Sequence, residues 1–163
     1  MQPILSDRAL VWAPALCAAA HIFEEFVFPG GFSEWYRKYR PDAARSFTPR
    51  FAVGVNALLV AACLLIPQMG LTPRGAALWL TVVALLFANA LFHMRASLRT
   101  RAYSPGIVTA VVLYIPLALY GFPHFVQTGQ ASVGTAISAA ALGGSYNFIS
   151  AGLHRRRARR AGS

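Results

Sequence analysis

Acidic residues are scarce in this chain of 163 residues, and most of its length has none. Only five residues are Asp or Glu, and no carboxylate side chain follows Asp42. Charged residues make up 12% of the chain and hydrophobic residues 56%, whereas about a quarter of an ordinary soluble domain is charged. A soluble fold would have a poorly hydrated surface, and the high hydrophobicity excludes a disordered chain. The composition therefore predicts an integral membrane protein.

Cysteine motifs, repeats and strand-like alternation are also missing. The two cysteines, Cys17 and Cys63, lie in apolar runs without CxxC spacing, which argues against a disulfide framework and a cysteine zinc site. No period of about 20 to 50 residues recurs, and the alternation typical of membrane β-barrels does not occur. The net charge of +10 is interpreted as a signal of membrane orientation, so no nucleic-acid partner is expected.

Five apolar stretches are each long enough to cross about 30 Å of hydrocarbon as a helix. They are residues 9–28, 51–69, 75–97, 106–126 and 132–153. The sequence therefore predicts an all-α fold, a polytopic membrane helix bundle of five transmembrane helices that forms a single domain, 1–163. A signal-peptide core at 9–20 is the alternative for the first stretch. However, the charges of Asp7 and Arg8 cancel, so no positively charged region precedes it.

The distribution of basic residues supports the count of five. With the N-terminus outside and the C-terminus cytoplasmic, 13 of the 15 basic residues fall on the inner side, as the positive-inside rule requires. Segment 29–50 mixes aromatic and basic residues and is predicted to lie at the cytoplasmic headgroup layer. The basic tail, 154–163, is predicted to contact lipid phosphates.

The first predicted span contains three ionisable side chains in the motif His21-Ile-Phe-Glu24-Glu25. On a helix, Glu24 lies about 60° to one side of His21 and Glu25 about 40° to the other. All three therefore point the same way. An ionised carboxylate in hydrocarbon is costly, so these side chains must face protein, water or a cation.

Other polar side chains are predicted at the same depth, in the inner third of the bilayer. His93 lies near the inner end of the third span, and His124 lies near the outer end of the fourth and is not part of the cluster. The remaining members of the inner group are Asn56, Asn89, Asn147 and His154.

Two imidazoles with one or two carboxylates are a ligand set of zinc and non-haem iron. We therefore expect His21, Glu24, Glu25 and His93 to hold a divalent metal ion. The asparagines Asn56, Asn89 and Asn147 are candidates for orienting these ligands. Three alternatives stay open: the glutamates form ion pairs with arginines, the asparagines only link helices, and His154 is a structural side chain.

These residues carry a resemblance to a known family. The motif His21-Ile-Phe-Glu24-Glu25 resembles the defining motif of the HXXEE-domain proteins, which are small multi-span bacterial membrane proteins. The resemblance implies a second histidine, for which His93 is the best match, and the stretch from Phe92 to Gly106 is similar to a later part of the family. It implies a location in the bacterial inner membrane and supports a His/Glu site, but it does not supply a reaction.

Two functions from different classes follow from the pattern. The first is a membrane-embedded metal-dependent enzyme, hydrolytic in the simplest case, that acts on a lipid-like or small hydrophobic substrate. In a metal-free variant, His21, Glu24 and Glu25 carry out acid–base catalysis themselves. The second is a small ion- or metal-coupled transporter. A purely structural protein would leave the paired acids unexplained, and a homodimer is left open.

Overall fold

The computed structural model describes residues 6–41, 44, 47–146, 149, 152 and 156, and these contain helices but no strands. The all-α prediction is therefore confirmed. The main helices are α1 (Asp7–Phe26), α2 (Phe32–Tyr39), α3 (Pro49–Met69), α4 (Pro73–Thr100), α5 (Ile107–Gln127) and α6 (Val133–Gly144).

Four of these helices, α1, α3, α4 and α5, are long and apolar enough to cross a membrane. The fifth apolar helix, α6, covers 12 residues. Its predicted span, 132–153, continues into a region where several residues lie outside those described. The direction in which the helices cross the bilayer stays a prediction.

Hydroxyl side chains define where most of the long helices begin. Ser6, Thr48, Thr72 and Ser132 each accept a hydrogen bond from the backbone N–H three residues later, which satisfies a donor that the helix itself leaves free. In α5 the corresponding position is Gly106, which has no side chain to offer. The first turn of α5 is therefore capped from elsewhere in the molecule.

The first and fourth helices are joined by a hydrogen bond that compensates for a proline. Pro14 has no N–H and leaves the carbonyl of Leu10 without its partner in α1. The indole N–H of Trp79 on α4 donates to that carbonyl at 2.8 Å. The ring lies so close to Gly121 of α5 that a Cβ there would be 2.0 Å from it. This contact fixes α1 against α4, the two helices that carry the ionisable side chains.

The helix α5 contains one π-helical turn, Ala110–Tyr114, which ends two residues before Pro116. The N–H of Ile115 bonds to the carbonyl of Ala110, five residues earlier. Such turns change the direction in which the following side chains point and are frequent at functional sites.

Candidate metal centre

Three buried side chains from two helices converge on one point. Nε2 of His21 lies 3.4 Å from Oε1 of Glu25 on the next turn of α1. Nε2 of His93, on α4, lies 3.2 Å from the same oxygen. One ligand atom from each of the three residues lies within 4.8 Å of the ligand atoms of the other two. The structure therefore brings together His21, Glu25 and His93, three of the four residues that the sequence predicts as ligands.

The two separations from Oε1 of Glu25, 3.4 and 3.2 Å, match those between the ligands of a small cation. Ligands about 2.0–2.1 Å from a tetrahedral zinc ion are about 3.3 Å apart. Both separations are longer than the usual hydrogen bond from an N–H to an oxygen, about 2.9–3.0 Å. Nε2 of His93 is fully buried, lies beside Oε1 of Glu25, and forms no hydrogen bond of acceptable geometry among the described residues. A buried polar atom in that condition needs an explanation, and a bound cation supplies one.

Hydroxyl groups hold the other nitrogen of each imidazole. Nδ1 of His21 lies 2.9 Å from Oγ1 of Thr109, and Nδ1 of His93 lies 2.9 Å from Oγ of Ser104. The Thr109 hydroxyl donates its proton to Oε2 of Glu24 at 2.5 Å. It can therefore only accept from His21, which fixes the Nδ1–H tautomer and leaves a lone pair on Nε2.

Glu24 is turned away from the converging side chains and caps α5. Its two oxygens accept bonds from the backbone N–H groups of Val108 and Thr109, at 3.1 and 2.7 Å, and from the hydroxyls of Tyr103 and Thr109. The carboxylate replaces the side chain that Gly106 lacks, and the positive end of the helix stabilises its charge. The sequence predicts Glu24 as a further ligand. In the structure its carboxylate is bound to the first turn of α5 and does not join the group formed by His21, Glu25 and His93.

Tyr103 remains a hydrogen-bond donor at neutral pH. Its hydroxyl donates to Oε1 of Glu24 at 2.7 Å. Partial burial, the hydrogen bond to Glu24 and the charge of that carboxylate raise the pKa of Tyr103 to about 12. The hydrogen bond that joins the α4–α5 connection to α1 is therefore donated by a neutral tyrosine.

Gly106 allows the backbone of this connection to approach the three side chains. A Cβ at this position would lie 2.7 Å from Cε1 of His21, 2.9 Å from Cγ of Glu25 and 3.0 Å from Cε1 of His93. Its φ of 97° also lies in the left-handed region that favours glycine. The position is suited to glycine for two independent reasons.

The other predicted polar residues have separate positions. Nδ2 of Asn89 lies 2.9 Å from Nε2 of His21, so Asn89 contacts the cluster. Asn56 instead donates to Ala52 of its own helix at 3.0 Å. His124 stacks on Tyr120, in the part of α5 far from Thr109. Asn147 and His154 lie outside the described residues.

In the described part of the chain, no lysine or arginine pairs with the buried glutamates. The only basic side chains there within 4.0 Å of Glu25 are the two histidines, and Glu24 has none. The alternative in which arginines neutralise these acids is therefore not supported in this part of the chain. Glu24 is satisfied by amides and hydroxyls, whereas Glu25 faces imidazole nitrogens.

An apolar cavity of about 340 Å³ opens beside the three side chains, which places it in the size range of small-molecule pockets. His21 and Glu25 form part of its wall together with side chains of α2, α3 and α4. Asn56, Asn89 and Arg40 are the polar groups among mainly aliphatic and aromatic ones. The carboxylate of Glu25 thus lies at the wall of a mainly apolar cavity.

Aromatic rings from α2 cover His93. The Trp35 ring is nearly parallel to the imidazole, with centroids 6.2 Å apart, and the Phe32 ring lies at 5.8 Å. Phe32 and Tyr36 are themselves buried. The segment that the sequence places at the headgroup layer thus also closes the site from one side.

Four residues of the site were not identified as functional from the sequence. They are Tyr103, Ser104, Gly106 and Thr109. The first three belong to the stretch from Phe92 to Gly106 that is similar to a later part of the family, and nothing in this stretch indicates which distant side chains it contacts. Thr109 carries no signal of its own, because an isolated threonine in an apolar span is common.

Comparison with known proteins identifies the family of the chain. The sequence model of a protein family described as "Protein of unknown function with HXXEE motif" matches residues 12–121. The chain therefore belongs to the HXXEE family, and the matched region contains all of the residues that converge at the site. No curated protein and no solved structure matches the chain.

Proposed function

We propose that this member of the HXXEE family is a membrane-embedded, metal-dependent enzyme that hydrolyses a lipid-like or small hydrophobic substrate. The single observation that supports it is the convergence of Nε2 of His21, Nε2 of His93 and Oε1 of Glu25, with separations of 3.4 and 3.2 Å. The proposed cofactor is a divalent zinc or iron ion. The proposed location is the bacterial inner membrane, with the site near the cytoplasmic side.

The residues fit such an ion in number, type and surroundings. Two histidines and one carboxylate are three of the four ligands of a catalytic zinc site, in which the fourth position stays open for chemistry. Each histidine has its second nitrogen held by a hydroxyl, as ligating histidines usually require. The ion would supply a water of lowered pKa and polarise a carbonyl group.

The residues around the ligands each have a defined task in this proposal. Thr109 and Glu24 hold the tautomer of His21, and Ser104 holds the ring of His93. Asn89 donates to the lone pair of His21, and this lone pair is the one that His21 would offer to an ion. Glu24 positions Thr109 and is not required to move a proton.

The apolar cavity supports the proposed class of substrate. Its wall is mainly aliphatic and aromatic, and it reaches Glu25 from the side of α2 and α3. Burial of an acyl or other hydrocarbon chain contributes about 0.8 kcal/mol per CH₂ group. An ester or amide with a hydrocarbon chain would place the chain in the cavity and its polar group at Glu25.

Metal content tests the proposal. The chain is purified in detergent, equilibrated with zinc, passed over a desalting column and measured by elemental analysis. We expect about one ion per chain in the wild type, and loss of the ion in His21→Gln, Glu25→Gln and His93→Gln. The matched controls are His124→Gln and Glu34→Gln, which change the same residue types outside the site and should keep the ion.

Two results would contradict the metal centre. The first is a folded wild type without bound metal. The second is a Glu25→Gln variant more stable than the wild type, which is expected for a buried acid without a cation.

Hydrolysis is then tested on p-nitrophenyl octanoate and p-nitrophenyl acetate, for which the metal-loaded protein should prefer the longer chain. Zinc flux into proteoliposomes that depends on Glu25, without ester hydrolysis, would favour the transporter instead.

A further inference from the structure

A second and larger cavity, here called the groove, runs along α4 between α5 and α6 and reaches the end of α2. It encloses about 1450 Å³, above the range of about 300–1,000 Å³ for small-molecule pockets. Small residues form much of its floor, including Ala84, Ala88 and Ala118, and Leu119 and Phe122 form part of its wall. The groove is apolar over most of its length and too large for a compact metabolite alone.

One end of the groove is strongly basic. Its lining at this end includes Arg95 and Arg99, which are four positions apart on α4 and therefore lie on one face of the helix. Lys38 and Arg40, at the end of α2, also line the groove. Both arginines of α4 are exposed. Four cations thus contribute to the lining of a mainly apolar groove.

The chain has few acids with which to neutralise these cations. Among the described residues, no carboxylate lies within 4.0 Å of Arg95 or Arg99, and Lys38 pairs with Glu34 at 2.8 Å on the exposed surface. Glu24 is bound to amides and hydroxyls of α5 and its preceding connection, Glu25 lies beside two histidines, and no acidic residue follows Asp42 in the sequence. We therefore expect the anion that complements Arg95 and Arg99 to come from another molecule.

We propose that the groove binds one phospholipid with an anionic headgroup, its phosphate between Arg95 and Arg99 and an acyl chain against the alanines of α4. Ala84 and Arg99 are separated by about 22 Å of helix, against about 15 Å for half of the hydrocarbon core. The groove is thus long enough for a chain and a headgroup. This inference goes beyond the proposed function and does not depend on a bound metal.

A second copy of the chain is a poorer occupant of the groove. It would bring to the interface the same excess of basic residues, since the whole chain carries 15 lysines and arginines and five acids. Like charges placed opposite each other oppose association, whereas each Lys or Arg near an anionic membrane surface contributes about 1 kcal/mol to lipid binding. Charge complementarity therefore favours the lipid.

Native mass spectrometry of the purified chain, titrated with phosphatidylglycerol or phosphatidylcholine, tests the inference. We expect one phosphatidylglycerol per chain and much weaker binding of phosphatidylcholine. The double variant Arg95→Gln/Arg99→Gln should weaken phosphatidylglycerol binding about 25-fold. The matched control Arg8→Gln/Arg74→Gln removes two charges away from the groove and should change it less than about threefold.

A second pair of variants tests the apolar part of the groove. Ala140 is exposed on α6 and lines the groove, whereas its neighbour Ala141 is exposed and does not. Ala140→Phe should fill the groove and displace the lipid, and Ala141→Phe should not. Equal binding of both lipids, equal losses in both arginine variants, or a groove variant that only separates a dimer would each overturn the inference.

Discussion

Nε2 of His93 on α4 lies 3.2 Å from Oε1 of Glu25 on α1, although the two residues are far apart in the chain. The packing of α1 against α4 sets this distance, together with the hydroxyl of Ser104 that holds the other side of the ring. The same two helices are joined further along by the bond from Trp79 to Leu10. Changes at either contact should therefore be detectable at the site.

Gly106 gives the sharpest steric prediction. Gly106→Ala would place a Cβ within 3.0 Å of all three converging side chains and add left-handed strain of about 1–2 kcal/mol. The control is Gly129→Ala, which has a φ of 72° and no atom within 4 Å of the new Cβ, so that it carries the strain alone. We expect Gly106→Ala to lower the free energy of unfolding by about 1–3 kcal/mol more than the control and to abolish zinc binding. Equal effects in thermal unfolding would show that the close approach is unimportant.

Thr109 is expected to act on the metal through His21. Thr109→Val removes the hydroxyl that accepts from Nδ1 and donates to Glu24. Loss of such an orienting partner lowers metal affinity about 10- to 100-fold. Thr109→Ser keeps the hydroxyl and should retain most of the affinity, measured by competition with a chelator. If the Thr109→Val and Thr109→Ser variants bind zinc equally well, the hydroxyl of Thr109 does not set the tautomer of His21.

Asn89 is expected to compete with the ion. It donates to the lone pair of His21 that a metal would use, and one hydrogen bond contributes about 0.5–1.5 kcal/mol. Asn89→Ala should therefore tighten zinc binding about two- to tenfold. The control is Asn56→Ala, whose side chain bonds to Ala52 of its own helix, and which should leave the affinity unchanged. Weaker binding in Asn89→Ala would mean that Asn89 orients the ligand.

The pairing of Trp79 with Pro14 can be tested by a double-mutant cycle. Trp79→Phe leaves the buried carbonyl of Leu10 without a donor, which costs about 1–3 kcal/mol. In the Pro14→Ala background the new N–H at position 14 can bond to that carbonyl, so Trp79→Phe should cost less. Unfolding in detergent with rising denaturant measures both effects. Additive costs would show that the indole N–H does not replace the missing helix bond.

Much of the fold could be predicted from the sequence because apolar length and breakers are local signals. The helices α3 and α4 begin at Pro49 and Pro73, next to the predicted starts of the second and third spans. The sequence did not indicate how α2 packs, because a segment rich in Trp, Tyr and Arg is equally suited to a membrane interface and to covering a site. The burial of Phe32 and Tyr36 is a tertiary property.

The candidate site could be predicted in part for a similar reason. Helical spacing places His21 and Glu25 together, and matched depth indicates His93. The different environments of Glu24 and Glu25 could not be predicted, because they depend on where α5 begins. Glu24 meets the free amides of Val108 and Thr109, and neighbouring identical residues thus acquire different tasks.

The zinc-edge X-ray absorption spectrum of the purified, zinc-loaded chain tests the central claim most directly. We predict a first shell of nitrogen and oxygen at about 2.0–2.1 Å with the scattering pattern of two imidazoles, reduced to one imidazole in any residual zinc of His93→Gln. A shell with sulfur at about 2.3 Å, or one without imidazole in the wild type, would contradict a centre built from His21, Glu25 and His93.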